Sequence, residues 1–195
     1  MAPPILLALA FHEFAHAAAA HRLGDNTARN EGRLTLNPIK HLDPIGTLLL
    51  FFAGFGWAKP VPVNPWNFDN PKQGMMLVSL AGPGSNLFLA IMGAILFGLL
   101  QPMGSLNYML NFFIYINVLL AVFNMLPIPP LDGSKILAGI LPGRQQWLYT
   151  LEQYGTPILF ILIFLGVLRP VLKFFIYPIV GMLNSLANFV AGLPL

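Results

Sequence analysis

The sequence contains no cysteine. Disulfides and thiolate metal sites are therefore excluded, and any metal must be held by His, Asp or Glu; the redox compartment stays open. Charge is scarce too. Lys, Arg, Asp and Glu supply 9% of the 195 residues, where a soluble domain carries about 25%. That deficit, with 56% hydrophobic residues gathered in several long uncharged runs, argues against an ordinary soluble domain and for a polytopic membrane protein. The net charge of +3 comes from scattered residues rather than a basic face, so nothing points to nucleic acid as a partner. Internal repeats, low-complexity tracts and an interdomain linker are also missing, and residues 1–195 read as a single membrane-embedded domain. The first residues lack the basic n-region of a cleaved signal.

Against this apolar background one stretch stands out. Pro4 to Ala20 is uncharged except at His12, Glu13 and His16, which form the pattern H-E-x-x-H. On a helix, residues i and i+4 share a face one turn apart. Two imidazoles at that spacing can bind one zinc ion, and the intervening Glu can act as general base toward a water in the site. The bland alternative is a chance match on an apolar helix. The rarity of His and Glu here, and the cost of placing ionisable groups in a membrane span, weigh against it.

Taken in order, Pro3 and Pro4 can start a helix that runs to about Leu23, with Gly24 as its stop. It is barely long enough to span. Residues 22–44 are polar, and Gly32 to Pro38 alternates in the manner of a short strand or hairpin arm. Ile45 to Ala58 is apolar but too short to cross, so it is expected to enter the bilayer edge. Lys59-Pro60-Val61-Pro62-Val63-Asn64-Pro65 suits an edge strand or an extended loop, because its prolines remove donors. Met75–Leu100 and Leu106–Leu126 read as spans, the first kinked at Pro83. Prolines 127, 129 and 130 end the second, and Ser134–Leu141 suits a short helix. Tyr154–Leu168 and Phe174–Leu195 are apolar, with Arg169, Pro170 and Lys173 interrupting them.

The expected fold is an all-α polytopic membrane protein of about four to six membrane helices, with a small β-hairpin or re-entrant segment near 32–65. The catalytic core covers about 4–141 and the C-terminal helices 154–195. Residues 21–73 hold six Lys/Arg and the turn at 101–105 none. The positive-inside tendency then puts the motif end of the first helix, and the loop at 127–153 with Lys135 and Arg144, toward the cytoplasm.

A catalytic zinc takes three protein ligands and keeps one position open. The later positions of the extended H-E-x-x-H-x-x-G-x-x-H pattern are Ala19 and Arg22. Candidates for the third ligand are Asp132, Glu31, His41, Asp43 and His21. Glu31, His41 and Asp43 lie in a polar, wet region, and His21 points off the shared face. Asp132 follows a proline-forced break between apolar helices, where an unpaired carboxylate is costly; its simpler role is a helix cap. Asn86, Asn117 and Asn124 can hold substrate backbone or an oxyanion, or else glue helices together.

Taken together, the sequence resembles the site-2 protease family of intramembrane zinc metalloproteases. The resemblance rests on HEFAH at 12–16 and on Asn124-x-x-Pro127-x-x-x-Leu131-Asp132-Gly133, with support from Ala81-Gly82-Pro83, Asn86 and His41-Leu42-Asp43-Pro44-x-Gly46. It implies a three-helix core, one zinc ion bound by His12, His16 and Asp132, and Glu13 as the catalytic base. It also implies cleavage of membrane-spanning protein substrates within the lipid bilayer. Family members commonly carry a helix ahead of the motif helix, for which few residues precede His12, and no PDZ-like pattern occurs here.

Two further classes compete with an intramembrane endopeptidase. One is a catalytically silent module that binds metal or helices; the intact Glu13 argues against it, since a structural zinc needs no base. The other is a small metal transporter, which would need more His or acidic residues along the later helices. An unwound substrate can be held by strand addition to an edge near 33–37 or 60–64.

Overall fold

The computed structural model describes every residue except Met1, 54–55, 144–145 and 194–195. Helix α1 is Ala2–Arg22, α2 is Thr27–Asn30 and α3 is Pro44–Ala53. Helices α4 (Pro71–Leu100), α5 (Gly104–Asn124), α6 (Asp132–Ile140), α7 (Gln146–Phe164) and α8 (Leu168–Ala191) complete the order, with short 3-10 turns at Pro38–His41 and Pro65–Asn67. The chain is an all-α membrane protein. Among the described residues, three helices, α4, α5 and α8, are long and apolar enough to cross a bilayer.

Helix α4 is the centre. It packs against α1, α5, α6 and α8. Its start is set by Asn70, whose side chain accepts from the Gln73 amide, with Pro71 at the first helical position. Its second half meets α5 and α8 through small residues. Ala90 and Ala94 join Ile114, Val118, Ile176, Leu183 and Ala187 in one buried cluster. At Gly98, a methyl group would lie 2.4 Å from the Ala187 carbonyl, so only glycine permits this approach. A second cluster joins Ala20, Phe68 and Val78 at the end of α1. A third joins Leu131, Leu159 and Leu168 under α6 and α7.

Two expectations need correction. No strand forms among the described residues near 32–65; a single antiparallel bridge pairs Leu42 with Ala58. The alternation at 32–38 does not make an apolar face, because Arg33 is buried while Leu36 is exposed. The chain turns there instead, with the Thr35 amide donating to Arg33 and Asn37 capping the turn at Pro38–His41. The second correction is at the C-terminus. Helix α8 begins at Leu168 and runs straight through Arg169, Pro170 and Lys173. Pro170 falls in the first turn, where backbone amides need no helical partner. The break comes earlier, at Gly166, whose φ of +71° ends α7 in the left-handed conformation that favours glycine.

Helix α3 has ten residues, about 15 Å at 1.5 Å per residue. It is too short to cross, and Ile45, Leu48 and Phe52 are exposed on it. Arg144, counted above among the loop cations, lies outside the described residues.

Candidate metal centre

The H-E-x-x-H stretch falls in the middle of α1, and both histidines face α4 and α6. The two Nε2 atoms are 3.0 Å apart. Asp132 Oδ2 lies 3.3 Å from His12 Nε2 and 3.2 Å from His16 Nε2. All three residues are buried.

The other face of each imidazole is already occupied. His12 Nδ1 lies 2.7 Å from Asn86 Oδ1. His16 Nδ1 lies 2.7 Å from the Val78 carbonyl. Asn86 Nδ2 donates to the Ala8 carbonyl at 3.1 Å and to Asn117 Oδ1 at 2.9 Å, and Asn117 Nδ2 donates to the Phe113 carbonyl. These bonds leave Asn86 Oδ1 as the acceptor, so His12 carries its proton on Nδ1. The Val78 carbonyl imposes the same tautomer on His16. Both Nε2 atoms then present lone pairs to one another and to a carboxylate.

Three acceptors converging in a buried space with no proton between them repel unless a cation sits among them. Donors bound tetrahedrally at about 2.0–2.2 Å lie ~3.3 Å from one another, and the observed separations are 3.0 to 3.3 Å. The donor set therefore fits one small, tetrahedrally coordinated metal ion. It is also the group of ionisable residues, among those described, whose ligand atoms come close enough together to hold one.

Asp132 is the first residue of α6, one position past the cap, which Leu131 holds, and its carboxylate faces His12 and His16. The capping role is thus not the one it plays here. The other candidates for third ligand lie apart. Glu31 is exposed. Asp43 accepts from the Gly46 amide at the start of α3. His21 pairs with Asn26 Oδ1, and His41 pairs with the Thr35 carbonyl.

Glu13 is buried beside the cluster, and its Oε2 accepts from the Val61 amide at 3.1 Å. Close packing at Gly82 brings α4 onto the histidines. A methyl group there would lie 2.4 Å from His16 Nε2 and 2.7 Å from His12 Cε1. One residue on, Pro83 cannot donate to the preceding turn and its ring crowds that turn.

The three asparagines divide. Asn86 and Asn117 are fully buried, and their amides are engaged with His12, with each other and with backbone carbonyls. They orient His12 rather than face a substrate. Asn124 is half-buried at the end of α5, and its Nδ2 donates to the Leu120 carbonyl. The Val78 carbonyl and the Val61 amide went unseen in the sequence, because a backbone group leaves no mark on residue identity.

Comparison with known proteins covers most of the chain. A family model described as peptidase family M50 matches residues 100–166. A Bacillus subtilis (strain 168) protein named "Putative zinc metalloprotease YwhC" is 42% identical over 191 residues, covering 93% of this chain and 84% of that protein. "Putative zinc metalloprotease Rip2" of Mycobacterium tuberculosis (strain ATCC 25618 / H37Rv) is 34% identical over 192 residues, covering 94% and 72%. An archaeal protein, "Putative zinc metalloprotease MJ0611" of Methanocaldococcus jannaschii, is 36% identical over 129 residues, covering 65% and 63%. No solved structure matches. With motif order, metal-binding geometry and relatives in agreement, the chain belongs to peptidase family M50, the site-2 protease family.

Proposed function

We propose that this protein is a zinc endopeptidase that hydrolyses peptide bonds in or near transmembrane segments of membrane protein substrates. The observation that carries this reading is the convergence of two imidazole lone pairs and one carboxylate, with a second carboxylate, Glu13, beside them. His12, His16 and Asp132 hold the ion. When bound, zinc supplies a Lewis acid that polarises a carbonyl and lowers the pKa of water.

The protein's own groups do the rest. Asn86 and the Val78 carbonyl keep the two imidazoles neutral and aimed. Glu13 accepts the proton of the attacking water on its carboxylate and returns it to the leaving nitrogen. Two neutral imidazoles and one carboxylate around a dication leave one net positive charge, which favours the oxyanion that develops on the scissile carbonyl. Asn124, at the α5 end of the chain leading to Asp132, is the asparagine left to contact substrate backbone.

In this reading the site lies toward the cytoplasmic side of a multi-pass protein. Six Lys/Arg in 21–73 flank it, while the turn between α4 and α5 has none. A helical substrate hides its peptide bonds, so it must unwind before it reaches Glu13. Water reaches the ion beside the irregular backbone of 59–64, which a membrane protein tolerates where it lines a polar path.

The test compares purified wild type with Glu13→Gln. We expect one zinc per chain in both and cleavage of a transmembrane peptide by the wild type alone. Equal cleavage by both proteins would remove Glu13 from the reaction; zinc in both with cleavage in neither would make the protein a silent metal-binding module.

A further inference from the structure

The segment Lys59–Asn64 crosses the site and belongs to no helix or strand. Pro60 and Pro62 have no N–H to offer, and the one bridge nearby stops at Ala58. No backbone ladder holds it. What holds it is a set of contacts at its two ends. At the first end, the Lys59 amide donates to the His41 carbonyl at 2.8 Å, and the Lys59 carbonyl accepts from Arg33 Nη2 at 2.6 Å. At the second, the Asn64 amide donates to Asp25 Oδ2 at 2.8 Å. Between them, the Val61 amide donates to Glu13.

Both anchors are buried ionic side chains in a polar stretch where solvated residues are expected: Asp25 is fully buried and Arg33 5% exposed. A turn residue just ahead of α2 needs one carboxylate oxygen for the turn. Asp25 Oδ1 meets that need, accepting from the Thr27 amide at 3.0 Å, Thr27 Oγ1 at 2.5 Å and Asn67 Nδ2 at 2.7 Å. Its second oxygen goes to Asn64. The Asp25 amide donates to the Ala20 carbonyl, so the anchor is fixed to the end of the helix that carries His12, Glu13 and His16. Burial alone would raise the Asp25 carboxyl; the hydrogen bonds from Thr27, Asn64 and Asn67 outweigh it and keep it an anion. Arg33 is tied on its own side, since its amide donates to the Ala28 carbonyl and Nη2 reaches His41 Nδ1 at 3.5 Å.

We propose that Asp25 and Arg33 are positioning residues for the reaction: they clamp the two ends of Lys59–Asn64 so that the Val61 amide fixes the rotation of the Glu13 carboxylate. The inference rests on the peptidase reading for its catalytic consequence but not for its geometry. A carboxylate held at one oxygen presents the other in a constant direction, and small losses of alignment are costly to a general base.

Asp25→Asn is the sharpest variant. Its remaining oxygen keeps Thr27 and Asn67, while its new NH₂ group faces the Asn64 amide, donor against donor. Arg33→Lys releases the other end, and Val61→Pro removes the donated N–H and leaves both anchors in place. In full-length protein in detergent, we expect each to lower kcat by about tenfold or more, with KM and zinc content close to wild type. In protein labelled with 15N-valine, the Val61 amide resonance, assigned by its loss in Val61→Pro, should move in Asp25→Asn and Arg33→Lys in the direction seen in Glu13→Gln. A wild-type kcat with an unmoved Val61 resonance in the two anchor variants overturns the proposal. So does a loss of activity that only tracks lost zinc or lost folded protein. If the wild type itself fails to cleave, the peptidase reading falls, and the Val61 resonance alone still decides whether the clamp exists.

Discussion

Helix α4 does two different jobs in its two halves. Around Gly82 and Asn86 it meets α1 through polar groups, and each polar contact has a specific partner. Around Ala94 and Gly98 it meets α5 and α8 through small apolar residues in van der Waals contact. Both halves rely on glycine for close approach, yet they approach different things: at Gly82 the neighbours are the imidazoles of His16 and His12, while at Gly98 they are the Ala187 backbone and the Val190 side chain. The first half shapes a site and the second holds a bundle. Between helices in lipid there is little hydrophobic drive, so close packing and buried hydrogen bonds decide affinity, and the same helix can use each in turn.

That division can be broken from the site side first. In Gly82→Ala the added methyl collides with both histidines, so α4 or the imidazoles must move. We expect metal affinity to drop by more than about a hundredfold, beyond the range seen for changes to residues that only support ligands, with helix content unchanged. Zinc titration with circular dichroism on the same sample checks it; stoichiometric tight zinc in this variant would show that α4 does not press on the site.

A smaller loss is expected for Asn86→Ala. His12 Nδ1–H, Asn117 Oδ1 and the Ala8 carbonyl all lose their partner. The variant should bind zinc about 10–100-fold more weakly, measured by competition with a chelator. Unchanged affinity would mean that the tautomer of His12 is set without Asn86.

The bundle half should respond in stability instead. Gly98→Ala forces a methyl against the Ala187 carbonyl, and overpacking of this kind costs about 1–3 kcal/mol. Thermal unfolding in detergent should show the loss, while zinc affinity of the folded protein stays at the wild-type value. At Gly181 a methyl would meet nothing within 4 Å, so Gly181→Ala serves as the control, expected within about 0.5 kcal/mol. If Gly98→Ala instead weakened zinc as much as Gly82→Ala, the two halves of α4 would be one cooperative unit.

Several parts of this picture were legible in the residues. The helix carrying His12, Glu13 and His16 was readable because i, i+4 spacing determines which side chains share a face. The spans at α4 and α5 were readable because length and apolarity alone define them. Asp132 was picked out by the proline break before it, and the extended Asn124–Gly133 pattern carried the family resemblance. The failures have local causes. Leu34 and Leu36 alternate as in a strand, but burial of Arg33 turned the chain. Pro170 looked like an interruption and sits in a first helical turn. Asn86 looked equally suited to substrate or to helix gluing; it contacts Asn117 on α5, but it also supports His12.

By itself, then, the sequence determined that this is a helical membrane protein with an H-E-x-x-H metal site, because composition, run length and helical period act within one segment at a time. The tertiary structure decided which carboxylate lies beside the two histidines, which nitrogen of each histidine points toward it, and which backbone amide meets Glu13. Those choices depend on groups far apart in the chain: Asn86 for His12, the Val78 carbonyl for His16, and Asp25 and Arg33 acting through Val61 for Glu13. Two of these partners, the Val78 carbonyl and the Val61 amide, are backbone atoms that every sequence contains, and only packing gives them a direction.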